Sequence, residues 1–139
     1  MNLSHLKGKD ELLLDLYLIV KPENNIKELK LDDNEIQNAS LISRIPLNKL
    51  RLLDLSLNNI TNLNFLTEMK MPNLTTIYLK ANKINDIYPL IQINNTRENF
   101  QKLYIISLRE NNLRIEDKET KYLIDALLER KIELDLDLI

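Results

Sequence analysis

The 139 residues suffice for one compact domain that needs neither a disulfide nor a metal to hold its core. The chain has no cysteine, which excludes disulfide frameworks, thiolate metal sites and thiol catalysis. A hydrophobic share of 44%, a charged share of 29% and a net charge of −2 describe a globular chain without the basic footprint that dominates nucleic-acid affinity.

Residues 1–25 read as an N-terminal cap. His5, the sole histidine, lies in a stretch expected to be mobile and far from any paired acid. Asp10 suits a helix N-cap, and Leu12, Leu13, Leu16, Tyr17 and Val20 follow it at helical spacing, with Pro22 as the stop. Leu12, Leu14, Leu16, Leu18 and Val20 also alternate as in a strand; helix is the preferred reading. On a helix with one buried side Leu14 and Leu18 are surplus, which points to a second contact surface. The run Leu12–Val20 is too short to span a bilayer and carries Asp15 in its middle. It follows acidic residues, and no small-residue cleavage site comes after it, so it does not read as a signal peptide. An intracellular place, cytoplasmic or nuclear, away from membranes is the expectation.

From Ile26 onward the chain repeats itself. IKELKLDDNEI (Ile26–Ile36), LRLLDLSLNNI (Leu50–Ile60), LTTIYLKANKI (Leu74–Ile84) and LYIISLRENNL (Leu103–Leu113) align without gaps, their starts 24, 24 and 29 residues apart. Leu29-x-Leu31, Leu53-x-Leu55, Ile77-x-Leu79 and Ile106-x-Leu108 alternate with period two, so each predicts a short strand with one inward face. Stacked in parallel, such strands need crossovers. Leu41, Ile42 and Ile45, then Leu63, Leu66 and Met69, then Ile87, Leu90 and Ile91 supply the apolar side of those crossovers. Asn34, Asn58, Asn82 and Asn111 recur where the chain leaves each strand. Their amides can satisfy backbone groups that the turn buries, so they are read as scaffold, not as ligands.

Asn94–Asn99 lengthens the third repeat and is polar, as a surface loop or a binding insertion would be. After residue 113 a C-terminal cap is expected: a helix over Asp117–Arg130 with Tyr122, Leu123, Ala126 and Leu127 inward, then a strand over Ile132–Ile139. On that strand Leu134, Leu136 and Leu138 face the core, while Glu133, Asp135 and Asp137 face out and guard the sheet edge.

The four segments fit L-x-x-L-x-L-x-x-N-x-I/L at periods within the range of leucine-rich repeats (LRRs), and the chain resembles that family over about its last four-fifths. The resemblance implies an α/β solenoid, a single domain of about four repeats between two caps, with a short parallel sheet on the concave face. Within the family, Leu53–Leu136 is similar to the LRR domain of nuclear mRNA-export receptors, which assists RNA binding. Ile26–Ile36 and Pro72–Asp86 resemble the acidic leucine-rich nuclear phosphoproteins, and the caps and repeat style are also similar to phosphatase-regulatory and spliceosomal LRR subunits. These resemblances do not choose among one another.

The register assigns the concave columns. One column is Lys30, Asp54, Tyr78 and Ser107; the next is Asp32, Ser56, Lys80 and Arg109. They are flanked by Glu28, Leu52, Thr76 and Ile105, and by Asp33, Leu57, Ala81 and Glu110. The first strand is thus charged, whereas Leu52, Leu57, Tyr78, Ala81 and Ile105 make the centre more apolar, as a protein-binding face with an aromatic anchor would be. The rival reading is that another segment of the chain covers them. One histidine and no cysteine leave little material for nucleophilic catalysis, and open carboxylate pairs are solvated faces. No catalytic residue, metal ligand or cofactor is expected. The favoured function is a scaffold for a protein partner, the alternatives being an RNA-handling adaptor and a self-assembling subunit, a homo-oligomer joined through Leu14, Leu18 and the sheet.

Overall fold

The computed structural model describes residues 1–95 and 100–137. Five short strands, β1 (Glu28–Lys30), β2 (Leu52–Asp54), β3 (Thr76–Tyr78), β4 (Ile105–Ser107) and β5 (Glu133–Asp135), lie side by side in chain order, all parallel. The register sets Leu29 opposite Leu53, Leu53 opposite Ile77, Ile77 opposite Ile106 and Ile106 opposite Leu134. Each repeat therefore delivers the same apolar position to the same row. The ladder continues past the strands: the N–H groups of Leu31, Leu55, Leu79 and Leu108 donate to Asp54, Tyr78, Ser107 and Asp135 carbonyls.

The returning segments form the convex layer. A 3₁₀ helix (Ser40–Arg44) follows β1, α2 (Phe65–Glu68) follows β2, α3 (Pro89–Asn95) follows β3 and α4 (Lys118–Glu129) follows β4, while α1 (Lys9–Ile19) opens the layer against the 3₁₀ helix. Leu29, Leu53, Ile77 and Ile106 from the sheet meet Ile42, Leu66, Leu90 and Leu127 from this layer, all buried in one core. Phe100 is wholly buried beside them. Of the polar insertion, Asn94 and Asn95 close α3; residues 96–99 lie outside the described residues, as do Leu138 and Ile139.

Residues 1–8 depart from the expected mobile stretch. Asn2 bridges Lys30 in parallel, the Leu3 and His5 N–H groups donate to Lys30 and Asp32 carbonyls at 2.8 and 3.0 Å, and Lys30 N–H donates to Met1 O at 3.0 Å. The segment lies along β1 as a truncated further repeat, held by backbone pairing and by the Asn34 side-chain amide.

The caps follow the helical readings with three corrections. Gly8 is the N-cap of α1, with no side-chain capping bond, and Asp10 sits inside the first turn. Its Oδ1 accepts instead from Gln37 N–H (2.8 Å) and Asn38 N–H (3.2 Å), tying α1 to the turn after β1. Tyr17 and Tyr122 face solvent; α1 buries Leu13 and Leu16, and α4 buries Leu123 and Leu127. Each helix fills its buried stripe with two leucines and leaves the tyrosine outside it. Gly8 is needed for closeness: a Cβ there would stand 2.8 Å from Leu12 Cβ. Among the described residues no helix is long and apolar enough to cross a membrane.

Candidate interaction face

The asparagines set the geometry from which the face is built. Asn58 Nδ2 donates to the carbonyls of Leu31, Leu55 and Ser56 at 3.0, 3.0 and 3.1 Å, and its Oδ1 accepts from Asn34 and Ile36 N–H at 3.1 and 2.9 Å. Asn82 repeats this with Leu55, Leu79 and Ile60, and Asn111 with Leu79, Leu108 and Ile84. Asn34 does the same toward the N-terminal segment: Oδ1 accepts from Leu6 and Gly8 N–H, and Nδ2 donates to Leu3 O. Every amide bridges two successive turns, so the turns are stacked by side chains at a place where the backbone cannot pair with itself.

That turn is reached through a left-handed residue. His5, Asp33, Leu57, Ala81 and Glu110, each one place before the amide position, all have φ between 56° and 60°. Asp33, Leu57 and Ala81 donate their N–H to the Ser56, Lys80 and Arg109 carbonyls of the next repeat, so the conformation serves the ladder. Side chains of this column are turned out along the rim. Leucine is a costly choice there, since a Cβ at positive φ crowds the following carbonyl by about 1–2 kcal/mol.

Burial divides the columns. Leu57 is 53% and Tyr78 36% exposed. Lys80 and Arg109 are exposed, whereas Lys30, Asp32, Leu52, Asp54, Ser56, Ala81 and Ile105 are half-buried. Thr76 and Ser107, assigned to outward columns, are buried. These small side chains sink between larger neighbours, and Ser107 Oγ donates to Asp135 Oδ2 at 2.9 Å. The register also separates the apolar points. Tyr78 stands between Asp54 and Ser107, with Leu52 and Ile105 on its diagonals, while Leu57 lies at the rim in the same column as Ala81. The apolar centre is therefore two spots. No other described segment lies over Tyr78 or Leu57 to bury them.

Charge is arranged unevenly. On the β4–β5 side Arg109 Nε donates to Asp135 Oδ1 at 2.6 Å and Lys80 Nζ lies 3.2 Å from Glu110 Oε1. The Arg109 hydrogen bond, supported by Ser107, holds the Asp135 carboxyl below its ordinary range, and the same pair raises Arg109. On the β1 side His5 Nδ1 is 2.7 Å from Asp33 Oδ2, Ser4 Oγ donates to Asp32 Oδ1, and His5 Nε2 is 3.8 Å from Asp32. The hydrogen bond to Asp33, opposed by desolvation and helped by the charges of Asp33 and Asp32, raises the His5 imidazole above its ordinary value. His5 is thus beside paired acids, contrary to the reading of the sequence. A serine, a histidine and two aspartates do meet here, but the hydroxyl donates to a carboxylate and the imidazole is 66% exposed. Proton transfer to a serine nucleophile requires the hydroxyl on the imidazole. The signal for this meeting was faint: Leu3-Ser4-His5-Leu6 parallels Leu31-Asp32-Asp33-Asn34, with leucine in the amide place.

Away from the sheet, α1 exposes Leu14, Leu18 and Ile19. Among the described residues no group of three or more histidine, aspartate or glutamate side chains is placed to hold a metal ion.

Repeated apolar-x-apolar strands in one parallel sheet, an asparagine amide at the four repeat turns (buried at Asn34, Asn58 and Asn82, half-buried at Asn111) and a convex layer of short helices define an α/β leucine-rich-repeat solenoid. No protein-family model matches the chain, and no curated protein matches it in sequence. Among solved structures it is similar to internalin C2 from Listeria monocytogenes, with a TM-score of 0.51 and 23% identity over 81% of this chain and 52% of that one. The chain spans about half the length of that structure, and the likeness is one of fold.

Proposed function

We propose that this chain is a non-catalytic scaffold that holds a protein partner on its concave sheet face, with Tyr78 and Leu57 as the anchors. The observation that carries the reading is Leu57. A large apolar side chain stands 53% exposed on a left-handed backbone that asparagine or glycine would adopt more cheaply, so neither stability nor solubility accounts for it. Tyr78, Lys80 and Arg109 add the aromatic and cationic groups that recur at protein-binding hot spots. The half-buried Leu52, Asp54, Ala81 and Ile105, with Lys30 and Asp32 at the β1 end, complete the rim around them.

An open sheet whose carboxylates face water offers no enclosed, desolvated position for acid–base chemistry, which supports a binding role over a catalytic one. Carboxylates along β1 and β5 work against an RNA-handling role, because phosphates would meet like charge there.

The test is affinity capture with the immobilised chain, identification of retained proteins by mass spectrometry, and repetition with Tyr78→Ala and Leu57→Ala. Both variants should lose the same partner, Tyr78→Ala by about 2 kcal/mol or roughly thirtyfold. Their melting temperatures should stay within about 2 °C of the parent, because neither side chain is in the core. A partner retained equally by both variants would remove the concave face from the reading.

A further inference from the structure

The two flanks of the concave face are not electrostatically equivalent. Toward β5 the cations are already engaged: Arg109 with Asp135 and Lys80 with Glu110. Toward β1, Asp33 is met by His5 and Asp32 by Ser4. Glu28 and Asp54 remain. Glu28 is exposed, and Asp54 is half-buried with one oxygen accepting from Ser56 N–H at 2.9 Å. Among the described residues neither side chain takes part in an ion pair, although Lys30 lies between them in sequence and is the register partner of Asp54, and the Met1 ammonium donates to the Glu28 backbone carbonyl at 2.6 Å.

These two carboxylates border the apolar spot. Glu28 is the cross-strand partner of Leu52, and Asp54 that of Tyr78. Cross-strand neighbours are about 4.8 Å apart, and Asp54 is two residues from Leu52, about 6.6 Å along the strand. Backbone to backbone, each of these acidic residues therefore lies about 5–7 Å from Leu52 or Tyr78. Residues i and i+2 of an extended chain match that spacing, as do i and i+3 or i+4 of a helix.

Resting on the proposed protein-binding role, we infer that the partner presents a polypeptide segment pairing a lysine or arginine with an apolar side chain at that spacing, the cation toward Glu28 and Asp54 and the apolar group against Tyr78 and Leu52. Charge complementarity selects this occupant. A nucleic acid, by contrast, would set phosphates against these carboxylates.

Three degenerate pools of fifteen-residue peptides test it by biolayer interferometry on the intact chain: lysine, leucine and serine; glutamate, leucine and serine; lysine and serine alone. The first pool should bind about tenfold more tightly than either other and weaken with added salt. Glu28→Lys with Asp54→Lys should reverse the preference toward the glutamate pool; Glu28 is exposed and Asp54 half-buried, and circular dichroism checks that the variant folds. Equal or better binding of the glutamate pool by the parent, lost in Tyr78→Ala, would overturn the cationic partner while leaving the docking face standing. Binding of every pool unaffected by Tyr78→Ala would remove the face as well, and no binding by any pool would refute the segment proposed here.

Discussion

Asn58→Ala isolates the interaction that stacks the turns. The loss is not spread over all five hydrogen bonds of the amide. Leu31 O keeps Asn34 Nδ2, Leu55 O keeps Asn82 Nδ2, and Ser56 O keeps the N–H of Asp33. The N–H groups of Asn34 and Ile36, however, have Asn58 Oδ1 as their acceptor, and both residues are 0% exposed. A buried donor left unmade costs about 1–3 kcal/mol, so the pair predicts a loss of about 2–6 kcal/mol. Against a total of about 5–15 kcal/mol for a domain, that is a large share. Asn82→Ala orphans Ile60 N–H, and Asn111→Ala orphans Ile84 N–H at a half-buried position that water can reach. Denaturant unfolding followed by circular dichroism should therefore rank the losses Asn58, then Asn82, then Asn111. A loss below about 1 kcal/mol for Asn58→Ala, or an Asn111→Ala as damaging, would refute the reasoning.

Leu57→Asn should raise stability by about 1 kcal/mol, since asparagine tolerates the φ of 56° held there, while abolishing partner capture; a clear fall in the unfolding midpoint would show that Leu57 packs for stability. The raised His5 pKa makes the N-terminal latch pH-dependent. Because the folded value lies above the ordinary 6.5, its stabilisation is complete below pH 6.5 and fades as pH rises through the folded pKa. Nuclear magnetic resonance should find His5 titrating above 6.5 and returning toward it in Asp33→Asn, with the Leu3 and His5 amides losing exchange protection as the imidazole deprotonates. Titration at or below 6.5 in the parent would break the latch argument.

The repeats were legible because each carries its own instruction. Two aliphatics at period two, with an asparagine three places after the second, specify a strand and its exit without reference to anything distant, and four copies fix the register among themselves. Hence Leu29, Leu53, Ile77 and Ile106 fall in one row, and the outward columns follow by parity alone. The ends were not legible in this way. Residues 1–8 have leucine where the amide belongs, and Asn34 supplies from the next turn what they lack, so only the assembled ladder reveals them. His5 meets Asp33 across 28 residues for the same reason. Tertiary packing also turned Tyr17 and Tyr122 outward and sank Thr76 and Ser107, because a side chain's exposure depends on its neighbours' bulk as well as its parity. Sequence alone determined the solenoid, its recurring asparagines and the register of its strands. Only the tertiary structure decided how that face is charged and which of its members water can reach, since ion pairs and burial belong to side chains brought together from different repeats.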